Sequence, residues 1–300
     1  MTDITRAETF LATHARLLER RRLELLLRRA GAVDGVLSAL AAYRNPDGGY
    51  GYGLEPDLRA AGSQPAGAFQ ALTVLAELAE QAPEAAPAAG ELTGRLCDWL
   101  DTIALDGGAL PFSLAGADGP GTAPWWAGGD PTEPSLHITA GIGAYAQRVR
   151  AQAPALADHP WLTRATDWCL EQVAAGQRPE GGGYTLAFVL GLLDAVVDVR
   201  PSATAELERM AAFVPESGAL PVSGGTDSEV LRPLRISPEP GRPLRALMPA
   251  EAIARDLAAL AGEQEEDGGW TVDFPSSSPA GALEWRGIAT IEAITLLRAG

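Results

Sequence analysis

The chain has 300 residues and a mass of 31.2 kDa, a length that makes one large domain or two ordinary ones. With 46% hydrophobic residues and a mean hydropathy of +0.01, it carries enough apolar material for a substantial core and is not composed like a disordered chain. A net charge of −16, with all 23 basic residues arginine, argues against a nucleic-acid partner. Two cysteines, Cys97 and Cys169, make no disulfide framework. Apolar runs such as 186–193 fall short of a membrane span, and no signal-peptide pattern opens the chain. The expectation is a cytoplasmic protein with no transmembrane segment; nothing in the sequence sets its oligomeric state.

Residues 1–30 carry seven arginines against four acids, a local +3 beside −19 for the remainder. Phe10, Leu11, Leu17, Leu18, Leu25 and Leu26 recur at helical spacing, which predicts a basic amphipathic helix over residues 1–30. It would suit an acidic membrane surface or the protein's own acidic body, and packing on the body is the simpler reading. Residues 31–300 then form one domain in which helix, glycine-rich turn and helix alternate. Helices are expected near 32–43, 66–82, 92–104, 134–150, 161–175, 184–199, 203–214, 248–262 and 284–298. Stretches 134–146 and 184–199 are apolar nearly all round and must be buried on every side. Strand-like alternation is nearly absent, so the fold class is all-α.

The turns repeat. Asn45-Pro46-Asp47-Gly48-Gly49-Tyr50, Leu105-Asp106-Gly107-Gly108-Ala109, Glu180-Gly181-Gly182-Gly183-Tyr184, Glu216-Ser217-Gly218-Ala219 and Glu265-Glu266-Asp267-Gly268-Gly269-Trp270 share one plan. A side chain able to cap backbone N–H groups precedes glycines that accept positive φ. Self-similar helical hairpins make an open solenoid or a closed ring. The irregular spacing and the buried helices favour a ring, a single α/α toroid of five to six hairpins.

The stretch Gln264-Glu265-Glu266-Asp267-Gly268-Gly269-Trp270 matches the pattern glutamine, three residues, glycine, one residue, tryptophan, and Arg44–Tyr50 is a weaker copy. On these residues the chain resembles the terpenoid-cyclase and protein-prenyltransferase superfamily of α/α toroids. The resemblance implies a scaffold whose glutamine and aromatic tie a helix end to its neighbour, and a hydrophobic central cavity. It implies no zinc: Asp167-Trp168-Cys169 has the Asp-x-Cys form of the prenyltransferases, but no histidine follows it. A thioester is excluded as well, because Ala261-Gly262-Glu263-Gln264 lacks the cysteine. The Asp-x-Asp-Asp acid motif of the cyclases is also missing, and Glu55-Pro56-Asp57 is the nearest feature.

Candidate chemistry falls into clusters. Glu55 and Asp57, two carboxylates around a proline just after a glycine turn, would raise one another's pKa if partly buried, as a proton donor requires, or would lead into a helix cap. Asp130, Glu133 and His137 lead into an apolar helix; with a helix start near Pro134, Glu133 and His137 would share a face as an acid–base pair or as two metal ligands, or the histidine would be a packing residue. Trp125 and Trp126 on a glycine-rich loop suit ligand stacking, with Tyr50 and Tyr52 beside the first turn. Glu284, Trp285 and Arg286 would hold a polar head or cap the last helix. Arg232 and Arg235, repeated as Arg242 and Arg245 in two Arg-Pro-Leu-Arg segments, offer guanidinium forks to a diphosphate or to the protein's own carboxylates.

Together these favour a terpene-cyclase- or prenyltransferase-like enzyme acting on an isoprenoid or similar apolar substrate by acid-initiated carbocation chemistry. No metal or cofactor is expected, save magnesium if the substrate is a diphosphate. The alternatives are a carbohydrate-active α/α-barrel enzyme using paired carboxylates, and a non-catalytic binding toroid.

Overall fold

A computed structural model describes residues 3–174, 176–223 and 229–300. The chain is all-α. Its helices are α1 (Ile4–His14), α2 (Leu17–Leu26), α3 (Ala32–Ala41), α4 (Pro65–Gln81), α5 (Ala86–Ile103), α6 (Pro124–Ala127), α7 (Leu136–Gln152), α8 (Pro160–Val173), α9 (Gly182–Val196), α10 (Ser202–Ala211), α11 (Pro233–Ile236), α12 (Pro243–Leu247), α13 (Ala250–Gly262) and α14 (Pro279–Ala299). Among the described residues the only strands are β1 (Leu220–Pro221) and β2 (Val230–Leu231), an antiparallel pair.

Local chemistry sets the helix ends. Proline occupies the first turn of α4, α5, α8 and α14, where its missing N–H costs nothing. Ser278 caps α14 through Gly281 N–H, and Ser135 caps α7 through Ile138 N–H. The helix expected over residues 1–30 is two helices, broken where Arg16 adopts extended backbone. Arg16 is held there from both sides: it forks onto Glu19, and its Nη1 donates to the carbonyls of Gly53 and Leu54. Both helices pack inward through Phe10, Leu11, Leu18 and Leu23.

The helix neighbours form a circuit. α2 packs on α4, α4 on α7, α7 on α9, and α9 on α11. An ion pair from Arg235 on α11 to Glu292 on α14 bridges the next step, and α14 packs on α2. Outside this circuit α3 packs on α2, α5 on α4, α8 on α7, α10 on α9, α13 on α11, and α1 on α14.

The glycine turns have matching hydrogen bonds. Asn45 N–H donates to Gly49 O and Gly48 N–H to Asn45 O; Glu265 N–H likewise donates to Gly269 O and Gly268 N–H to Glu265 O. Asp47 and Asp267 each accept from the second glycine's N–H. Gly48 and Gly268 share φ of 94°, a value that only glycine adopts freely. Gln264 donates to Gly268 O and Asp3 O, while the Trp270 indole donates to Leu260 O. Each turn leads from an outer helix toward the start of an inner one. The long segments 51–64, 111–135 and 271–278 therefore precede the N-termini of α4, α7 and α14 and gather at one end of the circuit.

Candidate functional site

A cavity of about 920 Å³ lies inside the circuit and is lined by α4, α7, α9, α11 and α14 and by the loops at their N-terminal end. That volume suits a small-molecule ligand. Five of the residues singled out in the sequence line its mouth: Glu55, Asp57, Trp125, Trp126 and, from α14, Trp285.

Glu55 is only 5% exposed. Its Oε2 accepts from Gln70 Nε2 at 2.8 Å, and its Oε1 accepts from the Asp57 N–H at 3.3 Å. Burial pushes its carboxyl up to about 7; the Asp57 charge adds to this, and the Gln70 amide and the Arg16 charge oppose it. Asp57 serves as a tie. Its Oδ1 accepts from Ser276 Oγ at 2.7 Å and Ser277 N–H at 3.3 Å, and its Oδ2 accepts from the Trp285 indole at 2.7 Å. The acid loop is thus fastened to the 271–278 loop and α14 on one side and to Arg16 on the other.

An aromatic wall continues inward. Trp126 stacks on Phe112 with centroids 4.6 Å apart, and the His137 ring meets Phe112 and Phe188 edge-on at 5.4 and 5.0 Å. Tyr184 and Phe188 adjoin each other, and Phe69 links Phe188 to Tyr145. Burial pushes His137 down to about 4, so its imidazole is neutral and serves as one panel of this wall. Deeper in, Arg22 pairs with Glu77, Arg148 with Glu80 and Glu239, and Arg242 with Asp194 and Asp198.

Other candidates fall elsewhere. Helix α7 starts at Leu136, not Pro134, so Glu133 is outside it and exposed; no Glu133–His137 pair forms. Asp130 is exposed and caps its own turn through Thr132. Tyr50 is buried in the core, where desolvation pushes its phenol up to about 12, and Tyr52 is half exposed at a positive φ of 54°. Neither lines the cavity. Glu284 pairs with Arg59 outside the lining, and Arg286 forks onto Asp267 while lying 4.5 Å over the Phe10 ring. Asp167 reaches Arg200 on the surface while Cys169 is buried, so that Asp-x-Cys pair points two ways.

The four arginines do not converge on one grip. In each Arg-Pro-Leu-Arg segment an aspartate from a neighbouring helix takes the first guanidinium and the leucine N–H together. Asp256 does so for Arg232 and Leu234, and Asp194 for Arg242 and Leu244. The motif repeats because it docks a short helix the same way twice. Arg245 donates to Ser237 O; Arg235, Arg242 and Arg245 line the cavity, and Arg232 does not.

Sequence reasoning missed Phe69, Gln70, Phe112, Tyr145, Arg148, Tyr184, Phe188 and Glu292. The available signal was a stripe: Gln70, Thr73, Glu77 and Glu80 recur every three or four residues along α4, and a polar stripe on a helix packed all round must face a lumen. Among the described residues no cluster of three metal-ligating side chains occurs, and no helix is long and apolar enough to cross a membrane. No family model and no curated protein matches the chain.

Proposed function

We propose that the protein is an α/α-toroid enzyme that protonates an apolar, unsaturated substrate of the isoprenoid class in its central cavity, with Glu55 as the acid. The observation that carries this proposal is the Glu55 carboxyl, raised to about 7 by burial and set at the mouth of an aromatic-walled cavity. A general acid is most effective when its pKa lies near the working pH. Glu55 would give its proton to an alkene carbon. The π electrons form the new C–H bond, and the cation left on the adjacent carbon faces the rings of Trp126, Phe112, Tyr184 and Phe188. Loss of a proton from another carbon restores an alkene and returns the proton to the site. Among the described residues nine carboxyl groups against five guanidiniums line the cavity, and with Glu55 protonated as the acid the other eight still outnumber the guanidiniums, an excess that favours such a cation.

The carbohydrate alternative needs a second carboxylate free to act across the substrate. Asp57 is the neighbour of Glu55, and its three hydrogen bonds are spent on holding the mouth together, which favours the single-acid scheme. The test is product analysis with farnesyl and geranylgeranyl substrates and their alcohols. Wild type should give isomerised or cyclised products and Glu55→Gln none, although it binds the same ligands; oligosaccharide cleavage without terpenoid products would overturn the proposal.

A further inference from the structure

Five arginines line the cavity, and four of them are committed. Arg22, Arg148 and Arg242 hydrogen-bond carboxylates, and Arg245 donates to the Ser237 carbonyl. Among the described residues no hydrogen bond reaches the Arg235 guanidinium. Its single ionic contact among those residues is Glu292 at 3.4 Å, and 34% of its side-chain surface is open. The barrel wall surrounds it, with the Tyr184, Tyr145, Asp273 and Glu292 side chains as its electrostatic neighbours. The open surface therefore faces the lumen. A guanidinium offers five N–H donors, and those of Arg235 are open to an acceptor in the lumen.

We infer that Arg235 is the anchor for a carboxylate on the substrate, so that the ligand is an apolar acid whose head lies at Arg235 while its unsaturated body runs along the aromatic wall toward Glu55. The inference rests on the proposed use of the cavity as the substrate site. A planar carboxylate matches one guanidinium fork. A diphosphate does not match, because several negative charges would enter a lumen in which, among the described residues, carboxyls outnumber guanidiniums and four of the five guanidiniums are already engaged. An alcohol would leave most of the fork unused.

Calorimetry on the full chain at pH 7.5 tests this with farnesoic acid, farnesol and farnesyl diphosphate, and with decanoic acid and decanol as a saturated pair. Each acid should bind more tightly than its alcohol and than the diphosphate. Arg235→Gln should weaken the acids by about tenfold to a hundredfold and change the alcohols little, since a hydrogen bond to a charged group has that worth. Glu292→Gln, which relieves Arg235 of its competing carboxylate, should tighten acid binding and guards against a poorly folded Arg235 variant. Acids no tighter than alcohols, a diphosphate that binds best, or an acid preference that survives Arg235→Gln would each overturn the inference. Decanoate has no alkene to protonate, so its Arg235-dependent binding stands even if Glu55 proves to have no catalytic part. Conversely, terpenoid products formed without any acid preference would sink the anchor and keep the acid.

Discussion

The Trp285 indole N–H donates to Asp57 Oδ2 at 2.7 Å, joining the second turn of the last helix to the acid loop across 228 residues of chain. The same ring meets Phe274 edge-on at 5.2 Å, so one side chain fixes two of the loops at the cavity mouth. Trp285→Phe keeps the ring and removes the donor. A hydrogen bond to a charged acceptor contributes about 1.5–3 kcal/mol, which lowers the melting temperature by several degrees in a domain of this size. Trp285→Ala loses the Phe274 contact too and should cost more. Equal melting temperatures for wild type and the phenylalanine variant would show that the indole N–H contributes nothing net.

Glu55 makes stability depend on pH in a defined window. The folded carboxyl keeps its proton up to about pH 7, whereas the unfolded one releases it near 4.5. Between these values the folded state binds more protons, so the contribution of this group to stability is complete below about pH 4.5 and is lost as pH rises through 7. Its full size is about 3 kcal/mol. Glu55→Gln stays neutral throughout and should gain on wild type by that amount between pH 4.5 and 8 in urea titrations. Parallel stability curves for the two proteins would mean that Glu55 ionises as an ordinary carboxylate. In the proposed protonation, the rate should fall above an apparent pKa near 7, because the ionised acid has no proton to give.

Arg16 and Glu19 form a buried pair, with Glu19 fully enclosed and the arginine also donating to the Gly53 and Leu54 carbonyls. Arg16→Met leaves Glu19 charged and buried without its main partner, a loss of about 3–5 kcal/mol. Arg16→Lys retains the charge without the fork and should cost less. If the methionine variant melts with wild type, the pair is not holding the acid loop.

What the sequence discloses and what it hides follow from the range of the interactions. Helix periods, proline starts and the glycine turns are local, and the nine expected helices after residue 31 all form with ends shifted by up to six residues. Glu55 and Asp57 stand out locally too, because Glu-Pro-Asp is more polar than a turn requires. The arginine repeats leave two readings open for the opposite reason: their partners Asp256 and Asp194 lie on other helices, and no pattern near residue 232 or 242 announces them. Glu133 and His137 have helical spacing, yet Ser135 caps the helix between them, and that one cap decides that they do not meet. The break at Arg16 depends on carbonyls 37 and 38 residues away, which an amphipathic pattern cannot register.

The docking of the Arg-Pro-Leu-Arg segments gives a sharp contrast between two roles for arginine. Asp256 is buried and accepts from Arg232 Nε at 2.6 Å and Leu234 N–H at 2.9 Å, so it neutralises a side chain and caps α11 at once. Asp256→Ala should lower stability in urea titrations by about 1–3 kcal/mol, since it leaves the buried Leu234 N–H without an acceptor and takes one of two carboxylates from Arg232, Glu263 remaining.

Glycine at the repeated turns is tested by two alanine substitutions that share a backbone angle and differ in surroundings. At Gly48 and Gly268 φ is 94° alike, so the conformational cost of a side chain, roughly 1–2 kcal/mol, is common to both. A Cβ on Gly48 would approach Arg95 O at 3.1 Å, whereas one on Gly268 would meet Arg6 O at 2.3 Å, inside any allowed contact. Backbone cannot yield as a side-chain tip can, so Gly268→Ala must displace α1 from the turn and break the Gln264–Asp3 bonds with it. Gly268→Ala should therefore cost clearly more than Gly48→Ala, and proteolysis should show α1 released in the first variant and protected in the second. Equal losses would mean that α1 yields without resistance and that the Gln264 tie adds nothing to the closure of the circuit.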